Sequence, residues 1–308
     1  MPFPEVNDAL RAAIGTTSGA PRMGVAITLG ERRDEKAVPV LTPLLNDPDA
    51  DTVRAAAGAL GRIGTPDAAK ALLAFSVSAP EPVKPAVIEG LLTAGERLVA
   101  AGNAAVAMPI YEALVAPSWP AQARAGAFRG SAVADPKLTA ERVLTALRGD
   151  DSLLRDAAAQ LVATTTGADD TNAYAAALAA LPAPGQAALL RGLGGRVDAA
   201  AHPAVHDAVA SLVSSGDRDV KLAAIGALST VGTPADANGL AALLSSDDAD
   251  VAKAAEFTLA NVKGKDCDAA MAAAVETTAP EIGARLLVLL AIRMSDLAVP
   301  TAEKALGS

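Results

Sequence analysis

The chain has 308 residues, of which 51% are hydrophobic, 2% are aromatic and 20% are charged, and its net charge is −9. This apolar content excludes a disordered chain, and the acidic balance argues against nucleic acid as a partner because it repels phosphate backbones. The longest strongly apolar run, residues 286–292, is shorter than the roughly 20 residues of a membrane helix, which predicts a soluble protein without membrane insertion.

Alanine fills about a quarter of the positions, and this small side chain favours helix and lets helices approach closely. The predicted fold is therefore all-α. The first predicted element lies in residues 1–20, where Val6, Leu10 and Ala13 share one helical face. We interpret residues 1–20 as an N-terminal half repeat and residues 21–308 as one repeat array.

The array has a period of about 31 residues. The residue that closes the first helix of each repeat, called the anchor below, is a leucine in eight repeats and Gly130 in repeat four. The leucine anchors are Leu29, Leu60, Leu91, Leu161, Leu193, Leu228, Leu259 and Leu290. Self-similarity at this period is typical of a helical solenoid, and it predicts about nine helical hairpins after the half repeat.

Repeat seven shows how each hairpin is predicted. Apolar residues recur every three positions from 222 to 231, which indicates the buried face of a first helix. Gly232 is expected to be a left-handed C-cap, Thr233 an N-cap and Pro234 the first residue of a second helix over about 235–244. Because neither helix can bury its apolar face alone, the hairpins must stack on one another.

Repeat three departs from the period through an insertion in about residues 95–121, and residues 96–114 locally resemble a tetratricopeptide helix pair. Three of the seven aromatic residues, Tyr111, Trp119 and Phe128, cluster at this point. Trp and Tyr are enriched in binding hot spots, so these three residues are our candidate binding site. The alternative interpretation is that they fill the space that the insertion creates.

Acidic residues precede several first helices. The groups 47–51 and 247–250 superficially resemble calcium loops, but both lack the Gly and Glu that such a loop requires. We predict that they cap helices. A basic residue also opens almost every first helix, and pairing with acids of adjacent repeats is favoured over an anion-binding ridge. These basic residues are Arg22, Arg54, Lys84, Arg124, Arg155, Lys221, Lys253 and Arg285.

The two histidines, His202 and His206, lie four residues apart, a spacing that places both rings on one helix face as in zinc-binding pairs. No Glu follows either histidine and no second ligand cluster exists in the sequence, so a solvated helix start is favoured and we predict no metal and no cofactor. Nucleophile and phosphate-loop motifs are also absent from the sequence. We therefore expect the chain not to be an enzyme.

The run Thr52–Ala57, echoed at 153–158, 220–224 and 251–255, and the turn Leu60–Pro66 together resemble the HEAT-repeat family. The resemblance is greatest to short bacterial repeats of the bilin-lyase type, and it covers roughly residues 21–308. It implies an α-solenoid, a fold whose members are mostly binding scaffolds. Some members are enzymes, namely bilin lyases, deoxyhypusine hydroxylase and alkylpurine DNA glycosylases. The hydroxylase uses repeated His-Glu pairs, and this sequence contains none.

Our first functional interpretation is a non-catalytic scaffold that binds a protein or peptide along the concave face formed by the second helices, which carry few charges. The alternatives are a helical module of a larger or multi-domain enzyme, a lyase-like bilin binder, or a spacer without a ligand. The oligomeric state is left open. The single cysteine, Cys267, excludes an internal disulfide. We expect a cytoplasmic protein if the chain is complete, and an exported one if it is a segment of a longer precursor. The lack of polar terminal caps indicates either that the chain is a segment of a longer protein or that another chain caps its ends.

Overall fold

A computed structural model describes residues 4–307 of the chain. Over this range the chain forms 19 α-helices, six short 3-10 segments and no strand, which confirms the predicted all-α fold. Contacts divide it into two compact units, Met1–Thr139 and Ala140–Ser308. Residues 1–3 and 308 of the predicted half repeat and array lie outside the described residues. The sequence-based division at residue 20 stays a prediction.

The first unit contains α1, three complete hairpins and the first helix of repeat four. Its first helices α2, α4 and α6 pack on one another in sequence. Its helices are α1 (Pro4–Thr16), α2 (Gly19–Glu31), α3 (Val38–Leu41), α4 (Ala50–Ile63), α5 (Pro66–Ser76), α6 (Lys84–Ala100), α7 (Ala104–Leu114) and α8 (Ala121–Ala134). Segments of 3-10 helix cover Glu35–Ala37, Thr42–Asn46 and Pro136–Leu138.

The second unit continues the same alternation with repeats five to nine. Its first helices α10, α12, α14, α16 and α18 also pack on one another in sequence. Its helices are α9 (Thr139–Arg148), α10 (Ser152–Thr164), α11 (Ala168–Ala177), α12 (Ala183–Gly195), α13 (Pro203–Ala210), α14 (Arg218–Val231), α15 (Ala237–Leu243), α16 (Ala249–Asn261), α17 (Lys265–Thr277), α18 (Pro280–Ile292) and α19 (Ala298–Gly307). Segments of 3-10 helix cover Leu178–Ala180, Ala199–Ala201 and Pro234–Asp236.

The hairpin order agrees with the predicted period. Between residues 4 and 307, one N-terminal helix precedes nine first helices, each of which carries its anchor residue and is followed by a second helix. Every leucine anchor is at most 6% exposed, so the anchors form the centre of the core. The insertion in repeat three lengthens α6 to 17 residues, against 14 in α4, and adds the loop at 115–120.

Two turn predictions have different outcomes. Gly64 adopts the left-handed conformation at the end of α4, with φ 64°, and Thr65 caps α5 as the Gly-Thr-Pro pattern predicts. The left-handed C-cap predicted at Gly232 is wrong, because this residue is extended with φ −63°. Thr233 forms a capping box with Asp236, and the second helix of repeat seven begins as 3-10 rather than α-helix.

The predicted acidic caps are confirmed at the starts of the first helices. The Asp49 carboxylate accepts hydrogen bonds from the backbone N–H groups of Asp51 and Thr52. The Thr52 hydroxyl, which also donates to Asp49, is the main cause of the lowered pKa of that carboxyl group. Asp248 caps α16 in the same way. These acids are therefore occupied by helix N–H groups rather than arranged around a cation.

Consecutive first helices approach each other closely at small residues just after and just before the anchors. A Cβ atom on Gly61 would lie 2.6 Å from the Cα atom of Gly90 in the next first helix, and one on Gly30 would lie 2.6 Å from Ala59 Cα. In the second unit a Cβ on Gly194 would lie 3.1 Å from Ala227 Cα. The alanine and glycine content of the sequence is therefore used to bring helix backbones into direct contact.

Replacement of Gly61 by alanine is expected to destabilise the protein by about 1 to 3 kcal/mol, because the added methyl group forces α4 and α6 apart. The matched control is Gly24→Ala in α2, where a Cβ atom meets nothing within 4 Å. That change should stabilise the protein by up to about 1 kcal/mol, because alanine has the higher helix propensity. Urea unfolding followed by circular dichroism measures both changes, and destabilisation of equal size in both variants would contradict the close-contact argument.

Candidate functional site

The structure places the candidate aromatic residues in and around the core of the first unit. Tyr111 is 1% exposed and lies in α7. A Cβ atom on Gly130 would lie 2.3 Å from the Tyr111 ring, and one on Gly95 would lie 2.9 Å from it. The ring therefore occupies the space beside Gly130 that a leucine anchor fills in the other repeats. Burial raises the pKa of Tyr111 to about 12.

Phe128 and Trp119 differ in their exposure. Phe128 lies in α8 and is 6% exposed, so it is also a core residue. Trp119 lies in the loop between α7 and α8, where it is half-buried and packs against the core. This packing supports the gap-filling interpretation for Tyr111, and Trp119 is the candidate that keeps the most accessible surface. A binding role for Trp119 stays a prediction.

The two histidines lie at the start of α13, but their surroundings do not form a ligand cluster. His202 precedes the helix, and its side chain makes no capping hydrogen bond. The His206 ring contacts the carboxylates of Asp207 and Asp236. Between residues 4 and 307, no group of three or more His, Cys, Asp and Glu side chains is placed to hold a metal ion.

The predicted pairing of basic and acidic residues between repeats occurs at some junctions. Arg22 lies 2.8 Å from Asp47 of the next repeat, and Arg285 pairs with Glu256 of the preceding one. Arg54 pairs within its own helix, with Asp51. A further pair, which the sequence did not indicate, joins Arg218 to Asp248 at 2.6 Å. Exposed pairs of this kind contribute little individually.

The exposed positions of the second helices are mostly short, uncharged residues. They include Ala74, Ala105, Pro109, Asn172, Ala176, Asn238, Gly239, Ala242, Ala269 and Ala273. About a third of the exposed second-helix positions are charged, among them Asp67, Lys70, Glu112, Asp266 and Glu276. Alanine and glycine lose little or no side-chain entropy when another chain covers them. The mild character expected for the second-helix face is therefore present in both units.

The first helices also form open grooves. In the first unit a groove of about 470 Å³ crosses α2, α4 and α6, and it is lined by Met23, Ile27, Arg54 and Glu89 among others. In the second unit a groove of about 560 Å³ lies on α12 and α14, with Leu222 and Gly226 in its lining. The sequence did not indicate grooves on the first-helix side, because their floors depend on how closely neighbouring helices approach.

Arg196 forms a fully buried cluster that the sequence analysis missed. Its side chain has no exposed surface and lies in the turn after α12. Nη1 donates to Val162 O at 2.9 Å and Nη2 to Gly167 O at 3.1 Å, both in repeat five. Nε donates to Thr171 Oγ1 at 2.8 Å. The guanidinium thus satisfies backbone carbonyl groups at and after the end of the preceding first helix.

Two further groups complete the cluster. The guanidinium carbon lies 5.5 Å from the centre of the Tyr174 ring, which allows a cation–π interaction. Because Nε donates to Thr171, the 2.8 Å approach of Nε to Asp198 Oδ1 is an ion-pair contact rather than a hydrogen bond. Burial raises the pKa of Asp198, but the Gly167 N–H group and the Arg196 charge outweigh this and leave the pKa lowered.

Comparison of equivalent positions in the repeats would have indicated this cluster from the sequence. Three residues after the anchor, repeats two, seven and eight have the buried residues Ile63, Val231 and Val262, whereas arginine holds that position in repeats one, six and nine. Arg293 of repeat nine likewise donates to the carbonyl oxygens of residues 259 and 260 in the preceding first helix. In repeats six and nine the cation at this position therefore caps the preceding first helix.

Residues 2–92 match the family model described as HEAT repeats. These residues are HEAT repeats. The matched segment includes the Thr52–Ala57 run and the Leu60–Pro66 turn that carried the resemblance, and the HEAT-repeat prediction is thereby confirmed over this segment. No curated protein matches the chain in sequence.

Solved structures extend the likeness of fold along the chain. The karyopherin Kap121p bound to the SUMO protease Ulp1p has a TM-score of 0.63 and 14% identity, over 95% of this chain and 38% of that one. Kap121p bound to Nup53p gives 0.53 and 12%, over 95% and 38%. Importin beta gives 0.51 and 12%, over 89% and 42%. This chain thus spans less than half of the length of these proteins, with which it shares the fold of a helical-hairpin solenoid.

Proposed function

We propose that this chain is a non-catalytic scaffold that binds a protein or peptide through the exposed face of its second helices. The observation that carries the proposal is that most exposed positions of the second helices in both units hold short, uncharged residues. Such a surface costs little side-chain entropy to cover and allows close approach of a helix or an extended chain.

HEAT-repeat solenoids are typically protein-binding scaffolds, and this supports the proposal. Two of the structures similar in fold are of Kap121p bound to another protein, Ulp1p in one and Nup53p in the other. The first-helix grooves are the competing surface. Their linings include charged residues that already pair with one another, such as Asp51 with Arg54, so a ligand there would have to disrupt existing ion pairs.

Site-specific photocrosslinking tests which face binds. A photoreactive amino acid at Ala176 or Ala242, on second helices, should give discrete protein adducts in a lysate of the source organism. The same amino acid at Ala284, an exposed position on the first helix α18, is the matched control and should give none. Adducts formed from Ala284 alone would contradict the proposed face.

The fluorescence of Trp119 provides a second test, in which the purified partner identified by crosslinking is added to the chain. It is the single tryptophan of the chain, so its fluorescence reports on one site. A role as a contact residue predicts that partner binding shifts its emission and reduces its access to an added quencher. Unchanged emission during saturable binding would exclude Trp119 from the binding site while leaving the second-helix proposal intact.

A further inference from the structure

His206 joins repeats six and seven through two carboxylates. Its ring projects from α13, the second helix of repeat six. Nδ1 lies 3.0 Å from Asp207 Oδ1 on the same helix, and Nε2 lies 3.0 Å from Asp236 Oδ2 in the 3-10 segment of repeat seven. The His206 side chain is 20% exposed and that of Asp236 is 13% exposed. The contact between the repeats is therefore largely shielded from water.

The number of ring protons determines whether both contacts are hydrogen bonds. A neutral imidazole has one N–H group and donates to one partner, whereas an imidazolium ion donates from both nitrogen atoms. A carboxylate can only accept. His206 therefore bonds to Asp207 and Asp236 simultaneously only when it is protonated, and loss of the proton removes one bond and the attraction of the positive charge.

Asp236 links this proton to the local backbone. The Oδ2 atom that faces His206 also accepts from Thr233 N at 2.7 Å and from Thr233 Oγ1 at 3.0 Å. The bond from Thr233 N belongs to the capping box that starts the second helix of repeat seven. The carboxylate that accepts the hydrogen bond from protonated His206 thus also stabilises the turn between the two helices of the next repeat.

We propose that His206 is a proton-dependent clasp between repeats six and seven, closed by two hydrogen bonds when the ring is protonated and weakened when it is neutral. The clasp does not depend on the proposed binding function. It would make the junction between α13 and the Thr233–Asp236 turn more rigid in mildly acidic solution than in mildly basic solution.

The Thr233 hydroxyl also lies 3.4 Å from His206 Nε2, a longer contact than those with the two carboxylates, which are the charged groups that bond to the ring. Helices α11 and α14 and the 3-10 segment Ala199–Ala201 pack on α13. The charged residues on these elements, and immediately before the 3-10 segment, are Asp169, Asp170, Asp198, Arg218, Asp219 and Lys221. None of these residues has a described hydrogen bond with His206. Helix α17 packs on the 3-10 segment of repeat seven. Its Cys267 interacts electrostatically with Asp266 on the same helix and with Asp236. Its other acid, Asp268, pairs with Arg293.

The direction of the pH effect follows from the same contacts. Burial lowers the pKa of His206, but the bonds to Asp207 and Asp236 and their charges outweigh it and raise the pKa above its ordinary value of 6.5. A raised pKa in the folded state means that the stabilisation is fully present below pH 6.5 and is lost as the pH rises through the folded-state pKa.

NMR titration of the full chain between about pH 5.5 and 9 tests the clasp. Only two histidine ring signals exist, and His202→Gln assigns them. We expect the His206 midpoint to fall by about 1 pH unit in Asp236→Asn, because an opposite charge at this distance is removed. The asparagine oxygen can still accept the Thr233 bonds. Asp207 has 82% of its side chain exposed, so Asp207→Asn should cause a smaller change.

Hydrogen exchange measures the effect on the backbone. The protection factors of the amide groups of Thr233, Ala235 and Asp236, corrected for the intrinsic pH dependence of amide exchange, should fall as the pH passes the His206 midpoint, because the stabilisation by the protonated ring is then lost. His206→Gln, which has no titrating proton, should show protection that is independent of pH over this range. The same pH dependence in the wild type and His206→Gln, or an unchanged midpoint in Asp236→Asn, would overturn the proposal.

Discussion

Replacement of Tyr111 by alanine is expected to lower the free energy of unfolding by about 3 to 5 kcal/mol, which is the range for truncation of a large buried ring. The ring is 1% exposed and fills the space between Gly95 and Gly130. Since neither glycine has a side chain that could move into the cavity, the site has little means of collapse. Denaturant unfolding followed by circular dichroism measures the loss.

Tyr111→Phe is the matched control, because it removes the hydroxyl group and keeps the ring. We expect it to retain most of the stability lost in Tyr111→Ala. A second arm is Gly130→Leu, which restores the leucine of the other repeats in the presence of the tyrosine. This variant should be strongly destabilised, because a Cβ atom at position 130 already lies 2.3 Å from the ring. Normal stability of Gly130→Leu would show that Tyr111 does not occupy the anchor space.

Replacement of Arg196 by alanine is the second large effect, with an expected loss of about 3 to 5 kcal/mol, as for removal of one partner from a buried ion pair. The change leaves the carbonyl group of Val162 without its described donor, removes one of the three donors to Gly167 O, and leaves Asp198 without its cation. Buried polar groups that lose their partner bear the full cost of desolvation. The loss should appear in denaturant unfolding of the full chain.

Arg218→Ala is the control, because Arg218 is also an arginine of the second unit that contacts two acids. Its side chain is 52% exposed, so solvent screens its ion pairs and we expect a much smaller loss than for Arg196→Ala. Arg196→Lys should fall between the two, since an ammonium group cannot reproduce the planar fork of donors. Equal losses for Arg196→Ala and Arg218→Ala would show that burial does not increase the importance of Arg196.

The sequence predicts the repeat order well because the anchor leucines and the Gly-Thr-Pro turn are local signals with a fixed spacing. It predicts the wrong conformation at Gly232 because the same Gly-Thr-Pro triplet follows an extended path there, with Asp236 rather than a left-handed glycine organising the turn. The left-handed path occurs at Gly64. One triplet thus has two conformations, and contacts beyond the triplet select between them.

The candidate site depends on contacts between repeats, which a single period does not contain. Tyr111 is a core residue because a residue 19 positions later is glycine. Arg196 can be buried because carbonyl groups of the preceding repeat accept hydrogen bonds from its guanidinium group. Alignment of each position with its equivalents would have identified Gly130 among leucines, and Arg196 at a position that holds aliphatic residues in several repeats and arginine in others. It would not have shown which neighbouring residue compensates for them.

The glycine and alanine contacts between first helices also limit how this array can grow by duplication. Gly30, Gly61 and their partners Ala59 and Gly90 recur at the 31-residue step, so an extra copy of that segment would present small residues to small residues at each new junction. A copy of repeat three alone would bring a second Tyr111 with no second Gly130 to receive it. Duplication of an early repeat would therefore preserve the helix contacts, whereas repeats three and four would have to be duplicated together.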